Sequence, residues 1–472
     1  MTPKLGWIKW FVPYMAMAGG NYLLYSMVLP IRIFHHVFIS LILIFWFLKY
    51  GIPRSHLLWP LLAVWASVVL SIAGAEDKRM ALEYAWHWVT NGLLLLMATE
   101  WFRQERESEL WRAQFLTSGF IAATCVIQGL LYGTRPGGAL FNINLAGAYL
   151  GASLLPLAVW TIQNGLLKRF GLYGVLLGLV GIAIYLNGSR GAILSVFVAL
   201  AVFLFLTSSL YKRWTRKVIR LVAVGFPLVV GGAAVLTMST QPGHAAGDTV
   251  RLDLWRVAEA LFETHPLGVG PGLFGQAYQA LGAGDEFRFT GAHNLYLTIA
   301  AELGGPGLAS GAVMALAIVY GLLSQKRTLQ QNASLAALCG IAAHMMVDNY
   351  PSQGFTFLTS LYLAHVLSGW QPNFSFPRRT RYAALAVVAF GAFFMLKYDR
   401  AQIAYERSLA SGSYFAAQEA LLLDPDNRLY QINYLRAAHD GDMQAAYSVD
   451  PSLQRSDNLM LYGLTHYGRV FQ

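Results

Sequence analysis

Residues 171–208 read GLYGVLLGLVGIAIYLNGSRGAILSVFVALAVFLFLTS, two apolar runs hinged on Asn187-Gly188-Ser189-Arg190-Gly191. Each run approaches the ~20 residues that an α-helix needs to cross the hydrocarbon core of a bilayer. Arg190 is the only charged side chain in the stretch. So short a turn between two such runs predicts a helical hairpin in a membrane, with one guanidinium at the bilayer edge. An arginine in that position commonly snorkels to lipid phosphates.

The same pattern extends along most of the 472-residue chain, which is 56% hydrophobic and 12% charged, with mean hydropathy +0.46. Soluble domains carry about 25% charged residues. Apolar runs predict spans near 10–28, 33–49, 56–74, 84–100, 114–132, 143–163, 169–187, 190–208, 218–237, 295–322, 333–349, 355–370 and 382–396. The fold expected is all-α and polytopic, with about 12–13 transmembrane helices. Ala16-Met17-Ala18 imitates a signal-peptidase site, but the apolar run continues past it to about Met27, so the segment reads as an uncleaved first span. Cys125 and Cys339 lie inside apolar runs, which argues against a disulfide framework or a zinc site.

Loop charges set the orientation. With the N-terminus inside, the inner loops hold Lys49 and Arg54, then Arg103, Arg106 and Arg112, then Lys168 and Arg169. Lys212, Arg213, Arg216, Lys217 and Arg220 follow, then Lys326 with Arg327, and Arg378, Arg379 and Arg381. Every inner loop is basic, as the positive-inside rule requires. The net charge of +10 is therefore a topology signal and does not point to nucleic acid. The few basic residues left outside include Arg135, Arg190, Arg251, Arg256 and Arg288. Lys78 and Arg79 have Glu76, Asp77 and Glu83 nearby to neutralise them, but Arg135 and Arg190 have no acidic neighbour in sequence. An anion from outside the local chain is their expected partner.

One outer loop, 238–292, is long and compositionally mixed. Within it DTVRLDLWRVAEALFET (248–264) has helical periodicity, placing Leu254, Trp255, Ala258, Leu261 and Phe262 on one face and Arg256, Glu259 and Glu263 on the other. Asp248 is a candidate cap. The following Pro266–Gly272 segment is too rich in Gly and Pro for a helix, and its amides are a candidate anion-binding concavity. Residues 1–396, including this loop, read as one transmembrane domain, and 397–472 as an outer helical tail. In the tail, Ala416–Leu421 before Asp424-Pro425, and Ala445-Ala446-Tyr447 before Asp450-Pro451, resemble tetratricopeptide-type hairpins. Two copies are too few for a free solenoid, so the tail is expected to pack on the membrane domain or a partner.

The tenth span opens with Gly291-Ala292-His293-Asn294-Leu295, and His293-Asn294 is followed after nine residues by Gly304 and after two more by Gly307. This spacing resembles the signature of bacterial O-antigen ligases, whose relatives include O-antigen polymerases and protein O-oligosaccharyltransferases. The GSRG turn, the RLDLW…HPLGVGPGLF stretch and Phe141–Ala146 after Arg135 resemble the same superfamily, over roughly residues 130–350. The resemblance implies a GT-C-like, metal-independent glycosyltransferase in the bacterial inner membrane, with its active site facing the periplasm and no cofactor. It implies a glycan donor on undecaprenyl pyrophosphate and an acceptor that is lipid A–core, another lipid-linked glycan or a protein. Arg190 and Arg251 would correspond to the family's pyrophosphate-binding arginines, and His293 to its essential histidine.

Residue chemistry points the same way. Cleaving a sugar–pyrophosphate bond builds negative charge on the leaving group, which guanidinium forks match bidentately. An acceptor hydroxyl needs a base that works near neutral pH, which imidazole supplies. Attack opposite the leaving group inverts the anomeric centre. Arg135, Asn144, Arg256, Arg288, Asn294, Glu302 and His344 are further candidates for substrate binding. His344 and Asp348, at i and i+4, would share a helix face, where the carboxylate can orient the ring. A structural interhelical bond is the competing reading. Asp285 and Glu286 lack accompanying ligands for a metal. Transport or flipping is the alternative of another class, but it calls for ionisable residues in span interiors and a repeated topology. His35, His36 and His87 are the exceptions in otherwise unionisable spans, and interfacial or packed roles suffice for them. Within the enzyme class, the fully matched His-Asn/Gly spacing favours ligation.

Overall fold

A computed structural model describes residues 8–18, 29–103, 107–165, 171–208, 244–281, 291–348, 352–370, 379–425 and 427–438. The ninth expected span, Arg288, the Asp285-Glu286 pair and the second tetratricopeptide-like copy lie outside these residues. Sixteen α-helices are described, with no strand among the described residues. They are α1 (Ile8–Ala18), α2 (Leu29–Tyr50), α3 (Leu58–Ala73), α4 (Lys78–Arg103), α5 (Glu107–Tyr132), α6 (Ile143–Gln163), α7 (Gly171–Asn187) and α8 (Arg190–Thr207). The second half comprises α9 (His244–Thr264), α10 (Phe274–Ala280), α11 (Leu295–Leu323), α12 (Leu329–His344), α13 (Gln353–Val366), α14 (Thr380–Ser411), α15 (Tyr414–Leu423) and α16 (Arg428–Ala438). Residues 31–50 of α2, and α5, α6, α8, α11 and α14, are long and apolar enough to cross a membrane. α3 and residues 173–187 of α7 are shorter apolar helices. The chain is a polytopic, all-helical membrane protein.

α6 is the axis of the bundle. Within its apolar window 78% of residues are buried, against 17% in α11 and in α14, so those two present most of their surface outward. α6 packs against α5, α7, α8 and α12, and among the described residues α8 and α12 share the most extensive helix–helix packing. Small residues permit that approach. A Cβ added to Gly340 would fall 2.4 Å from the Ser195 carbonyl oxygen, and one on Gly191 would fall 2.1 Å from His344 Nε2. The core of this half runs through Phe115, Ile121, Tyr149, Leu150, Ile341 and Tyr362.

Three helices, α6, α8 and α11, are started by polar side chains that receive their orphan amides. Asn142 accepts from the Leu145 amide, Ser189 from that of Ala192, and Asn294 from those of Tyr296 and Leu297. The expected span boundaries at 143, 190 and 295 coincide with these caps.

α11 breaks at Gly304 (φ 62°), two residues before Pro306. Pro306 has no N–H to return to Glu302, and the Gly305 amide turns away to the Pro266 carbonyl at 2.9 Å. The freed carbonyls of Ala301 and Glu302 accept instead from the amides of Val269 (3.0 Å) and Gly270 (3.0 Å). The Gly-Pro-rich segment is thereby sewn into the kink of α11. α9 lies alongside, burying Leu254, Ala258 and Leu261 with Phe274, Tyr278 and Ala301. It starts at His244, so Asp248 is an interior residue and not the cap.

The last span runs on without interruption to Ser411, well past its expected end at 396. Its polar extension stays helical because it is held. Arg32 Nε donates to Asp399 Oδ1 at 3.0 Å, and Arg79 reaches Asp424 Oδ2 at 3.2 Å. α15 and α16 pack on α14 through Ala401, Ala404, Tyr405, Ala420 and Tyr430. The described part of the tail docks on the membrane domain.

Candidate functional site

The turn before Arg190 is organised by Asn187, which is fully buried. Its Nδ2 donates to the carbonyls of Pro136 (2.8 Å) and Ile143 (2.6 Å), and its Oδ1 accepts from the Ser189 amide at 3.2 Å. Arg135 closes the other side, donating from Nε to the Asn187 carbonyl (2.9 Å) and from Nη2 to that of Gly188 (3.0 Å). Gly188 takes φ +61°, the left-handed region open to glycine. Two of the five guanidinium N–H groups of Arg135 are thus used in structure. Burial, and then the neighbouring Arg190 charge, lower the Arg135 guanidinium from its ordinary value. Two cations lie close enough to oppose each other. Beside them an open recess of about 360 Å³ is lined by Arg135, Phe141, Asn142, Ile143 and Asn144.

The His344 ring abuts Gly191, next to Arg190 at the first turn of α8. His344 feels the charges of Asp348 and Arg251. Asp348 in turn accepts from His293 Nδ1 at 2.9 Å. Around the buried His344 lie Gly191, the neighbour of Arg190 in the chain, and Asp348, the partner of His293, with the Arg251 charge near enough to act on the ring. His293 has φ 48°, unusual for a residue with a Cβ, and such strain costs about 1–3 kcal/mol. The strained turn is fixed on both flanks, because the Ala292 amide donates to Thr298 Oγ1 and the Leu295 amide to the Met345 carbonyl. The ring stays about one-third exposed, while Asp348 is buried. With Nδ1–H held by the carboxylate, Nε2 carries the lone pair and is the basic nitrogen.

The expected i, i+4 proximity of His344 and Asp348 survives the end of α12, because the Asp348 amide donates to the His344 carbonyl at 3.1 Å across the turn at residues 345–347. The turn swings the carboxylate onto His293, 55 residues away in sequence. The bond from His293 to Asp348 is the contact that sequence reasoning missed. No local periodicity marks this long-range pair.

Other expected site residues are engaged elsewhere. Asn294 uses Oδ1 as the α11 cap and donates from Nδ2 to the Met346 carbonyl. Arg256 is exposed on the outer face of α9 and pairs with Asp253 at 3.2 Å. Glu302 lies beneath the Gly-Pro-rich segment, where its carboxylate accepts from the backbone at Gly272 and Phe274. Because Val269, Gly270, Gly272 and Phe274 give their amides to α11, the segment is a latch and not the anion-binding concavity its composition suggests. Asn144 remains at the recess with Arg135.

Residues 174–312 match the family model described as O-Antigen ligase. The match makes this stretch similar to the O-antigen ligase/polymerase superfamily. It contains Arg190, Arg251, His293 and the Gly304/Gly307 pair, while Arg135, His344 and Asp348 come from outside it. Members of the superfamily are membrane glycosyltransferase-like enzymes, and O-antigen ligase/polymerase-type glycan transfer is the activity this match supports. No curated protein matches the chain.

Proposed function

We propose that the chain transfers a glycan from undecaprenyl pyrophosphate to an acceptor at the periplasmic face of the bacterial inner membrane, most simply ligating O-antigen to lipid A–core. The observation that carries this reading is the His293–Asp348 pair beside His344, with Arg190 and Arg251 on the flanks. An acceptor hydroxyl gives its proton to His293 Nε2 as its oxygen bonds to the anomeric carbon. The bond from that carbon to the pyrophosphate oxygen breaks, and the leaving diphosphate carries away the electron pair. Arg190 and Arg251 hold that growing charge where it develops, a stabilisation confined to the transition state. Asp348 keeps Nδ1–H oriented and steadies the imidazolium that forms. In this scheme guanidinium charge supplies what a metal supplies in other transferases, and attack from the far side inverts the anomeric centre. Arg135 and Asn144 line a recess suited to the donor's sugar or phosphate.

The test is transfer in proteoliposomes, with purified protein, undecaprenyl-pyrophosphate glycan and, separately, lipid A–core, a second donor molecule or a pilin-like protein. Product with lipid A–core supports ligation, and product with a second donor or a protein reassigns the chain to polymerisation or protein glycosylation. Arg190→Ala or Arg251→Ala should abolish transfer while membrane insertion stays normal. Full activity in either variant removes that arginine from the site.

A further inference from the structure

A second polar cluster lies at the N-terminal ends of α2 and α4, and it uses none of the residues placed in the transfer chemistry. His36, Glu83 and His87 each bring one ligand atom to within 4.8 Å of the other two. His36 comes from α2, while Glu83 and His87 sit one turn apart on α4, so that the i, i+4 pair presents both groups on one helix face. A two-histidine, one-carboxylate set is a donor combination suited to a first-row transition dication, Zn²⁺ foremost, with the remaining coordination open to water.

We infer that His36, Glu83 and His87 form a binding site for a divalent transition-metal ion that clips α2 to α4 beneath the tail. Three features beyond proximity support it. First, Asp399 of α14 accepts from His36 Nδ1 at 2.9 Å, which makes Nε2 the ligand nitrogen of His36. A carboxylate behind a ligating histidine both orients the ring and raises its basicity. Second, the Gln353 amide lies 2.8 Å from His87 Nδ1 and also contacts His35. An amide turned by half a rotation presents its oxygen to His87 Nδ1–H and to the Thr90 hydroxyl, which then donates to it, makes Nε2 the ligand nitrogen of His87, and donates to His35, whose Nδ1 then donates to Tyr14. Third, Glu83 can be released without stranding a charge. Its distance to Arg79 is 3.6 Å, whereas Arg79 holds Asp424 more closely at 3.2 Å. The dication thus reinforces the place where α14 and the tail dock.

The experiment uses untagged, full-length protein in detergent, stripped with a chelator and titrated with Co²⁺ as a spectroscopic stand-in for Zn²⁺. The inference predicts one bound equivalent, visible d–d bands of low-coordinate Co²⁺, displacement by Zn²⁺ and a raised Tm. His36→Asn and His87→Asn should lose the bands, Asp399→Asn should weaken binding by about 10- to 100-fold, and exposed His265→Asn should bind as wild type. Glu83→Gln carries the same test should the histidine variants fail to fold. A wild-type protein that takes up no stoichiometric Co²⁺, or bands that persist in folded His87→Asn or Glu83→Gln, overturns the inference.

Discussion

Asp348→Asn is the most informative single change in the proposed transfer site. Asparagine keeps the shape of the buried side chain and can still accept from His293 Nδ1, so the 2.9 Å contact and its surroundings survive. What disappears is the negative charge beside an imidazole that becomes cationic during transfer. Opposite charges with centres roughly 4 Å apart attract by about 4 kcal/mol at an effective dielectric near 20. The His293 side chain is 32% exposed against 6% for Asp348, so solvent screens part of this attraction. About 2–3 kcal/mol remains to be lost from the transition state, equivalent to about a 30- to 150-fold fall in kcat. Donor KM should hardly move, because the carboxylate acts on charge that develops during transfer. The assay is steady-state transfer in proteoliposomes over a range of donor concentrations. Wild-type kcat in Asp348→Asn, or a loss confined to KM, would refute the orienting role of the carboxylate.

Gly191→Ala places a Cβ 2.1 Å from His344 Nε2 and should cut transfer at least tenfold, through displacement of the ring, while the protein still inserts normally; unchanged kcat would dissociate His344 from the site. Gly268→Ala puts a Cβ 2.2 Å from the Glu302 carbonyl oxygen at φ +86°, with backbone on both sides of the clash. Left-handed strain of about 1–2 kcal/mol and two weakened amide bonds of about 1 kcal/mol each should lower Tm and expose the 265–272 segment to protease. Asn187→Ala should cost about 1–3 kcal/mol for each buried carbonyl left without a donor. It should also depress transfer, because the turn that aims Arg135 and Arg190 loosens; a thermal melt and a transfer assay together check this.

Membrane class and most helix positions were legible because they depend on local hydropathy and on side chains that cap their own helices. The runs beginning at 143, 190 and 295 are helices from Ile143, Arg190 and Leu295, each started by the Asn or Ser just before it. The buried stripe of α9 was equally readable, with Leu254, Ala258 and Leu261 inside. Long-range pairings were not readable. Nothing near Asp348 in sequence indicates that it also meets His293. The Gly-Pro-rich segment reads as an anion nest until the Pro306 gap in α11 is seen to consume its amides. Glu302, an expensive carboxylate in a span, is explained by that same latch. Hydropathy placed the end of the last span at 396, but Arg32 and the docked tail keep α14 helical to Ser411.

Donor binding and turnover measured side by side put the shared pocket to the most direct test. With undecaprenyl-pyrophosphate glycan, His293→Ala should bind donor at wild-type affinity without transferring it, whereas Arg190→Ala should lose affinity and turnover together. Normal donor affinity and normal transfer in Arg190→Ala would contradict the assignment of the lipid diphosphate to this site.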